Sequence, residues 1–212
     1  MIPAKFYRLT SYRNGRNGAI AERVGAVEFH DFKVADNKLA GIEMSLTSDM
    51  IDGYAKVVGG LIIGQSDNNE GLSDSSPHGI IGPRSEGFTI DGAKFFNYNW
   101  NEAAALGTCS HCFHSASTDS GARTVTTRNL LLDSTVTRKI KYQYPQRGIF
   151  HDEDGTLTGK GADTYATANH LHVQQENECE LDEVAFDGVV CEPGVQVRRV
   201  AFYGYAPSHF RG

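Results

Sequence analysis

The chain has 212 residues, 40% hydrophobic and 22% charged, with a net charge of −6 and a pI near 5.7. That length holds one domain with a sizeable core, and the composition is that of a folded protein rather than a disordered one. The acidic balance argues against nucleic acid as a partner, because neutralising phosphates needs a basic face. The longest uncharged apolar run, 57–64, is far too short to cross a bilayer. The 23 glycines suit a fold with many corners.

In chain order, residues 1–23 read as polar and basic, with turn signals at Asn14-Gly15 and Asn17-Gly18. They carry no apolar core of a secretory signal, which taken alone describes a cytosolic protein. From 24–44 a pattern begins that recurs along the chain. Val27, Phe29, Phe32 and Val34 are spaced by 2, 3 and 2 residues and closed by Asp36-Asn37. The same spacing joins Phe88, Ile90, Ala93 and Phe95, closed by Asn97. It joins Val125, Thr127, Leu130 and Leu132, closed by Asp133-Ser134. Cys179, Leu181, Val184 and Phe186 fit it, as do Val195, Val197, Val200 and Phe202, and Ala55, Val57, Gly60 and Ile62 form a weaker copy. Strand, bend, strand and polar turn, repeated, describe a solenoid whose units bury their apolar edges against one another. The expected fold is all-β, a right-handed parallel β-helix forming a single domain, its coils interrupted by loops of unequal length. With no cap evident at either end, its terminal coils are expected to lie against further polypeptide or other subunits.

Residues 45–54 suit a loop or a single helical turn, and the polar stretch 65–78 is the longest loop. Phe95, Phe96, Tyr98 and Trp100 are the densest aromatic cluster, fit for the core or for stacking on sugar rings.

Three constellations could carry chemistry. Cys109 and Cys112, with His111 and His114, could hold a metal with a fourth donor from Cys179, Cys191, His170 or His172. The same cysteines could form two disulfides, Cys109 with Cys112 and Cys179 with Cys191 being nearest in sequence, or stay free. His151, Asp152 and Asp154 precede a glycine corner. They could bind Ca²⁺, could act as an acid/base pair in cleaving a glycoside, or could cap a tight turn facing water. No other cofactor is expected. Arg138, Lys139, Lys141 and Arg147, interleaved with Tyr142 and Tyr144, are either a docking strand for an acidic polysaccharide or a solvated strand whose charges deter edge pairing.

The segments ALGTCSHC at 105–112, TDSGART at 118–124 and GIFHDEDGTLTG at 148–159 resemble the β-helix region of the fibrocystin-like proteins, large extracellular receptor-like molecules of the polycystic kidney and hepatic disease type. The aspartate-glycine corner is also similar to one in their relatives, the cell-migration-inducing hyaluronidases. The resemblance runs over 79–205. It implies an extracellular or cell-surface, disulfide-permissive fragment of a larger assembly, structural or ligand-binding on the fibrocystin-like branch and glycan-degrading on the hyaluronidase branch. The chain departs from both in having no signal sequence, membrane span or Asn-x-Ser/Thr sequon.

Overall fold

The computed structural model describes residues 2–22, 26–45, 55–68, 75, 77–83, 87–108, 123–142, 148–168, 173 and 176–197. Three short strands form each turn of the chain. The first coil holds β1 (Ala4–Tyr7), β2 (Thr10–Tyr12) and β3 (Asn17–Glu22). The second holds β4 (Val27–His30), β5 (Lys33–Ala35) and β6 (Ala40–Ser45). The third has β7 (Ala55–Val58), β8 (Leu61–Ile63) and β9 (His78–Gly82). The fourth has β10 (Phe88–Asp91), β11 (Lys94–Phe96) and β12 (Ala104–Thr108). The fifth has β13 (Arg123–Arg128), β14 (Leu131–Leu132) and β15 (Ile140–Lys141). Equivalent strands stack in parallel into three sheets, β1-β4-β7-β10-β13, β2-β5-β8-β11-β14 and β3-β6-β9-β12-β15. This is the parallel β-helix expected from the spacing.

The register explains the 2-3-2 spacing. Val27, Ala55, Phe88 and Val125 lie one above another, as do Phe29, Val57, Ile90 and Thr127 on the first sheet, and Val34, Ile62, Phe95 and Leu132 on the second. The residue after each first-sheet strand, Arg8, Asp31, Gly59, Gly92 or Asn129, has a positive φ between 52° and 75°. Its N–H reaches the coil below in four of the five, as Asp31 N does to Val58 O at 2.9 Å and Gly59 N to Asp91 O at 2.7 Å. A left-handed residue turns the corner and adds one position to the period of two, so Phe32, Ala93 and Leu130 still point inward and are buried. Asp and Asn tolerate that conformation because their short side chains bond locally. Asn129 Nδ2 also ties the corner to the neighbouring coil, donating to Asp91 Oδ1 at 2.8 Å. Gly60, at φ 102°, takes the place of Phe32 in its coil. A Cβ there would lie 2.8 Å from Phe32 O, which is why this copy of the pattern is weak.

Three expectations are corrected. The stretch read as polar and basic with turn signals already holds the first coil, β1 to β3 within 4–22, with Phe6 over Phe29 at a ring separation of 5.7 Å. The copy at Cys179, Leu181, Val184 and Phe186 is not a further coil. After β16 (Gly148–Asp152), which stacks parallel on β13, the chain turns antiparallel through β17 (Thr164–Thr167), β18 (Cys179–Asp182) and β19 (Gly188–Cys191), in the order β16-β17-β19-β18. Leu181 and Val184 are 63% and 70% exposed. Apolar spacing alone does not distinguish a parallel from an antiparallel neighbour. Likewise Val197 makes an antiparallel bridge to Val173, and Val200 and Phe202 lie outside the described residues.

Third, the antiparallel segment and the loops around it cap the C-terminal end. Leu157, Phe186 and Val190 are buried in the main core cluster. The backbone donors on the free edge of the fifth coil are met by cap oxygens. Asn129 N donates to Asp154 Oδ2 at 2.6 Å, Leu130 N to Thr156 Oγ1 at 2.9 Å, Ile140 N to Ala185 O at 3.0 Å, and Tyr142 N to Asp187 Oδ2 at 3.1 Å. The core itself takes most of the aromatic cluster. Tyr98 and Phe95 meet edge to face at 6.5 Å, and Trp100 stacks on Tyr98 at 6.3 Å.

Candidate functional site

Strand alternation parts His151 from Asp152. On β16, His151 points to the outer face and Asp152 into the interior. The His151 ring stacks on Tyr165 at 4.5 Å, and its Nε2 lies 2.9 Å from Asp163 Oδ1. Asp152 is fully buried, and one of its oxygens, Oδ2, accepts from Leu157 N at 3.0 Å, Thr158 N at 2.7 Å and Thr158 Oγ1 at 2.8 Å. Its Oδ1 has no hydrogen-bond partner among the described residues. Thr158 Oγ1 lies 2.7 Å from the buried Thr164 hydroxyl, which ties the corner to β17. Asp154 is exposed and accepts from Asn129 N, and from Thr156 N and Oγ1 at 3.0 and 2.6 Å. Partial burial pushes its pKa up, but the bonds from Thr156 and Asn129, together with the neighbouring Asp152 carboxyl, outweigh this and leave it below the usual carboxylate range. Both carboxylates therefore hold backbone amides of the corner, and His151 does not join them.

A second acidic ladder runs beside this corner. Arg128 Nε bonds Asp91 Oδ2 at 2.9 Å and its Nη1 reaches Glu153 Oε2 at 3.1 Å. Desolvation of Asp91 is outweighed by hydrogen bonds from Asn129 and Arg128, so its pKa also lies low.

The basic-aromatic strand turns toward the cap rather than presenting one open face. Tyr142 is buried, with its ring edge-on to Phe150 at 5.9 Å, and burial pushes its phenol well above the ordinary range. Lys139 Nζ donates to Leu157 O at 2.7 Å and sits 4.9 Å from the centre of the Phe186 ring, and its desolvation lowers its pKa. Lys141 Nζ lies 3.5 Å from Glu102 and 3.7 Å from Asp187. Arg138 is half-buried, with its Nη1 inaccessible and unpartnered among the described residues. Tyr144 and Arg147 lie outside the described residues.

Cys179 and Cys191 face each other across β18 and β19 and are joined by a disulfide. Cys109, His111, Cys112, His114, His170 and His172 lie outside the described residues, so the structure says nothing of their pairing. Among the described residues no three His, Cys, Asp or Glu side chains gather where a metal could be held. No helix among them is long and apolar enough to cross a membrane.

Sequence reasoning missed two features. His78 is buried over the bare backbone of Gly107, with both ring nitrogens unpartnered among the described residues. A groove of about 300 Å³ opens on the outer face of the second sheet, lined by Tyr12, Lys33, Leu61, Ile63, Ser66 and Asn68. The pattern of inward residues gave no sign of it, since it is built from the alternate, outward positions.

No family model matches the chain, and no solved structure matches it. Among curated proteins it is similar to human Fibrocystin-L, 28% identical over 218 residues, and to mouse Fibrocystin-L, 26% identical over 223. Each match covers 97% of this chain, which spans 5% of the length of either relative. The resemblance carried by 105–112, 118–124 and 148–159 thus extends along almost the whole sequence, and these matches support a fibrocystin-like family.

Proposed function

We propose that this chain is a structural β-helix module of an extracellular or cell-surface fibrocystin-like assembly, acting through its surfaces rather than through a reaction. The observation that carries this is the use of the corner acids. Asp152 and Asp154, the carboxylates best placed by sequence for acid/base work, are bound to the amides of Leu157, Thr158, Thr156 and Asn129. A glycosidase needs two carboxyl groups facing each other across an open cleft. Here one is enclosed and the other lies on the outside of a turn. The Cys179–Cys191 disulfide suits an oxidising compartment. Any glycan bound by such a module would meet the groove beside Tyr12 and Lys33 more readily than the enclosed Tyr142.

The test is incubation with hyaluronan and with a second uronic-acid polymer, with and without calcium, followed by sizing of the polymer. Unchanged length in every arm is the expected result. Shortening of either polymer would overturn the reading in favour of a depolymerase.

A further inference from the structure

Two Asn-Gly pairs stand close together in the chain, and the fold treats them differently. Asn17 and Gly18 belong to β3, which pairs with β6 so that Asn17 lies beside Ala40 and Ala19 beside Ile42. The Asn17 amide donates to the buried Glu43 Oε2 at 2.7 Å, and a Cβ on Gly18 would lie 2.6 Å from Gly41 O. Asn14 and Gly15 lie instead in the corner between β2 and β3, the first half-buried and the second exposed. The Gly15 N–H has no hydrogen-bond partner among the described residues. A Cβ on Gly15 would meet nothing within 4 Å.

We infer that Asn14 is a site of spontaneous covalent modification, deamidated through attack by the backbone nitrogen of Gly15, while Asn17 is protected by the sheet. In the first step the Gly15 nitrogen bonds to Cγ of Asn14 and the Cγ–Nδ2 bond breaks. The proton of the Gly15 amide leaves with Nδ2 as ammonia, and a cyclic imide remains. Water then opens the ring at either carbonyl, giving aspartate or isoaspartate. One water enters and one ammonia leaves, with no change of oxidation state. A glycine suits the attack because no side chain shields its nitrogen and its backbone turns freely. Within β3 the extended, hydrogen-bonded backbone holds the Gly18 nitrogen away from the Asn17 side chain.

The change alters the joint between the first two coils. Asn14 N and Nδ2 both donate to Oδ1 of the buried Asn37, at 3.2 and 2.8 Å, and Nδ2 also donates to Ser11 Oγ at 3.0 Å. These bonds restrain the amide and set the pace of the reaction, but they leave the nucleophile free. In the aspartate product the Nδ2 donor has become a carboxylate oxygen, which faces Asn37 Oδ1 acceptor to acceptor. Isoaspartate also lengthens the main chain by a carbon. It turns the Asn14 carbonyl, which accepts from Lys38 N at 3.1 Å, into a carboxylate beside the chain. Both products weaken the contact of this corner with the coil above.

The test ages the full folded chain at neutral pH, with a urea-unfolded sample as reference, and maps its peptides by mass spectrometry that separates Asn, Asp and isoaspartate. In the folded chain Asn14 should convert at least about tenfold faster than Asn17, whereas in urea the two should convert at similar rates. Gly15→Ala, for which the structure has room, should slow conversion at Asn14 by at least about tenfold while the chain stays folded. Hydrogen exchange of the aged chain should quicken at the Lys38 amide. Conversion of Asn17 as fast as Asn14 in the folded chain would overturn the inference, and so would an unchanged rate in Gly15→Ala. Conversion of Asn14 in urea but not in the folded chain would overturn it too, by showing that Ser11 and Asn37 hold the amide out of reach.

Discussion

His78 shows how a single buried side chain couples this fold to pH. Desolvation, aided by the charges of Lys141 and Arg138 and opposed by Glu102, lowers its pKa to about 4. The folded state thus favours neutral imidazole, while the unfolded chain takes up a proton near pH 6.5. Between those values the unfolded state binds more protons, so stability rises with pH and is lost as pH falls from 6.5 toward 4. The full effect is on the order of 3 kcal/mol. Urea unfolding at several pH values should show this slope, and His78→Leu should flatten it. At pH 7 the variant should be no less stable, because the imidazole nitrogens it removes have no partners among the described residues. Asp91 and Asp154, whose folded pKa values are depressed, add a second loss at more acid pH, below about 3.9. None of this was legible in the sequence, where His78 merely ends a polar loop.

At the scale of the coil, the corner is the unit of specification. The inward columns were readable because every corner spends one left-handed residue and so imposes the same 2-3-2 period. Where a side chain intrudes on that corner the coil should fail. Gly60→Ala would put a Cβ against Phe32 O at φ 102° and should cost about 2 kcal/mol or more. Gly15→Ala, where a Cβ meets nothing within 4 Å, should stay within about 0.5 kcal/mol in the same thermal melts. The first coil escaped notice because its columns end there, leaving polar and basic residues among exposed aromatics. The cap escaped because Cys179, Leu181, Val184 and Phe186 mimic the coil spacing while pairing antiparallel. Its disulfide closes a loop with a sequence separation of 12. Replacing both Cys179 and Cys191 with Ser should therefore cost about 2–3 kcal/mol, with faster hydrogen exchange confined to β17, β18 and β19.

For the whole molecule, the antiparallel cap is what finishes the stack of coils at its C-terminal end. Stability in a solenoid is a sum over neighbouring units, so it depends on how each end is finished. The sequence pointed to the parallel β-helix and to the fibrocystin-like resemblance that the curated matches support, and it brought the corner acids to attention. It left open whether Asp152 and Asp154 cut, chelate or cap, because that turns on which way each side chain faces. Lys139 and Asp152 both converge on Leu157, one on its carbonyl and the other on its N–H, and so fasten the cap to the last coil.

The measurement that tests this account most directly is the equilibrium unfolding of Asp152→Ala beside Asp152→Asn. If Asp152 holds the cap, Ala should lose about 2–4 kcal/mol by leaving the buried Leu157 and Thr158 amides without an acceptor. Asn, which keeps an amide oxygen in place of Oδ2, should lose distinctly less. Wild-type stability in both variants would contradict the account, since a carboxylate kept for catalysis can be removed without weakening the fold.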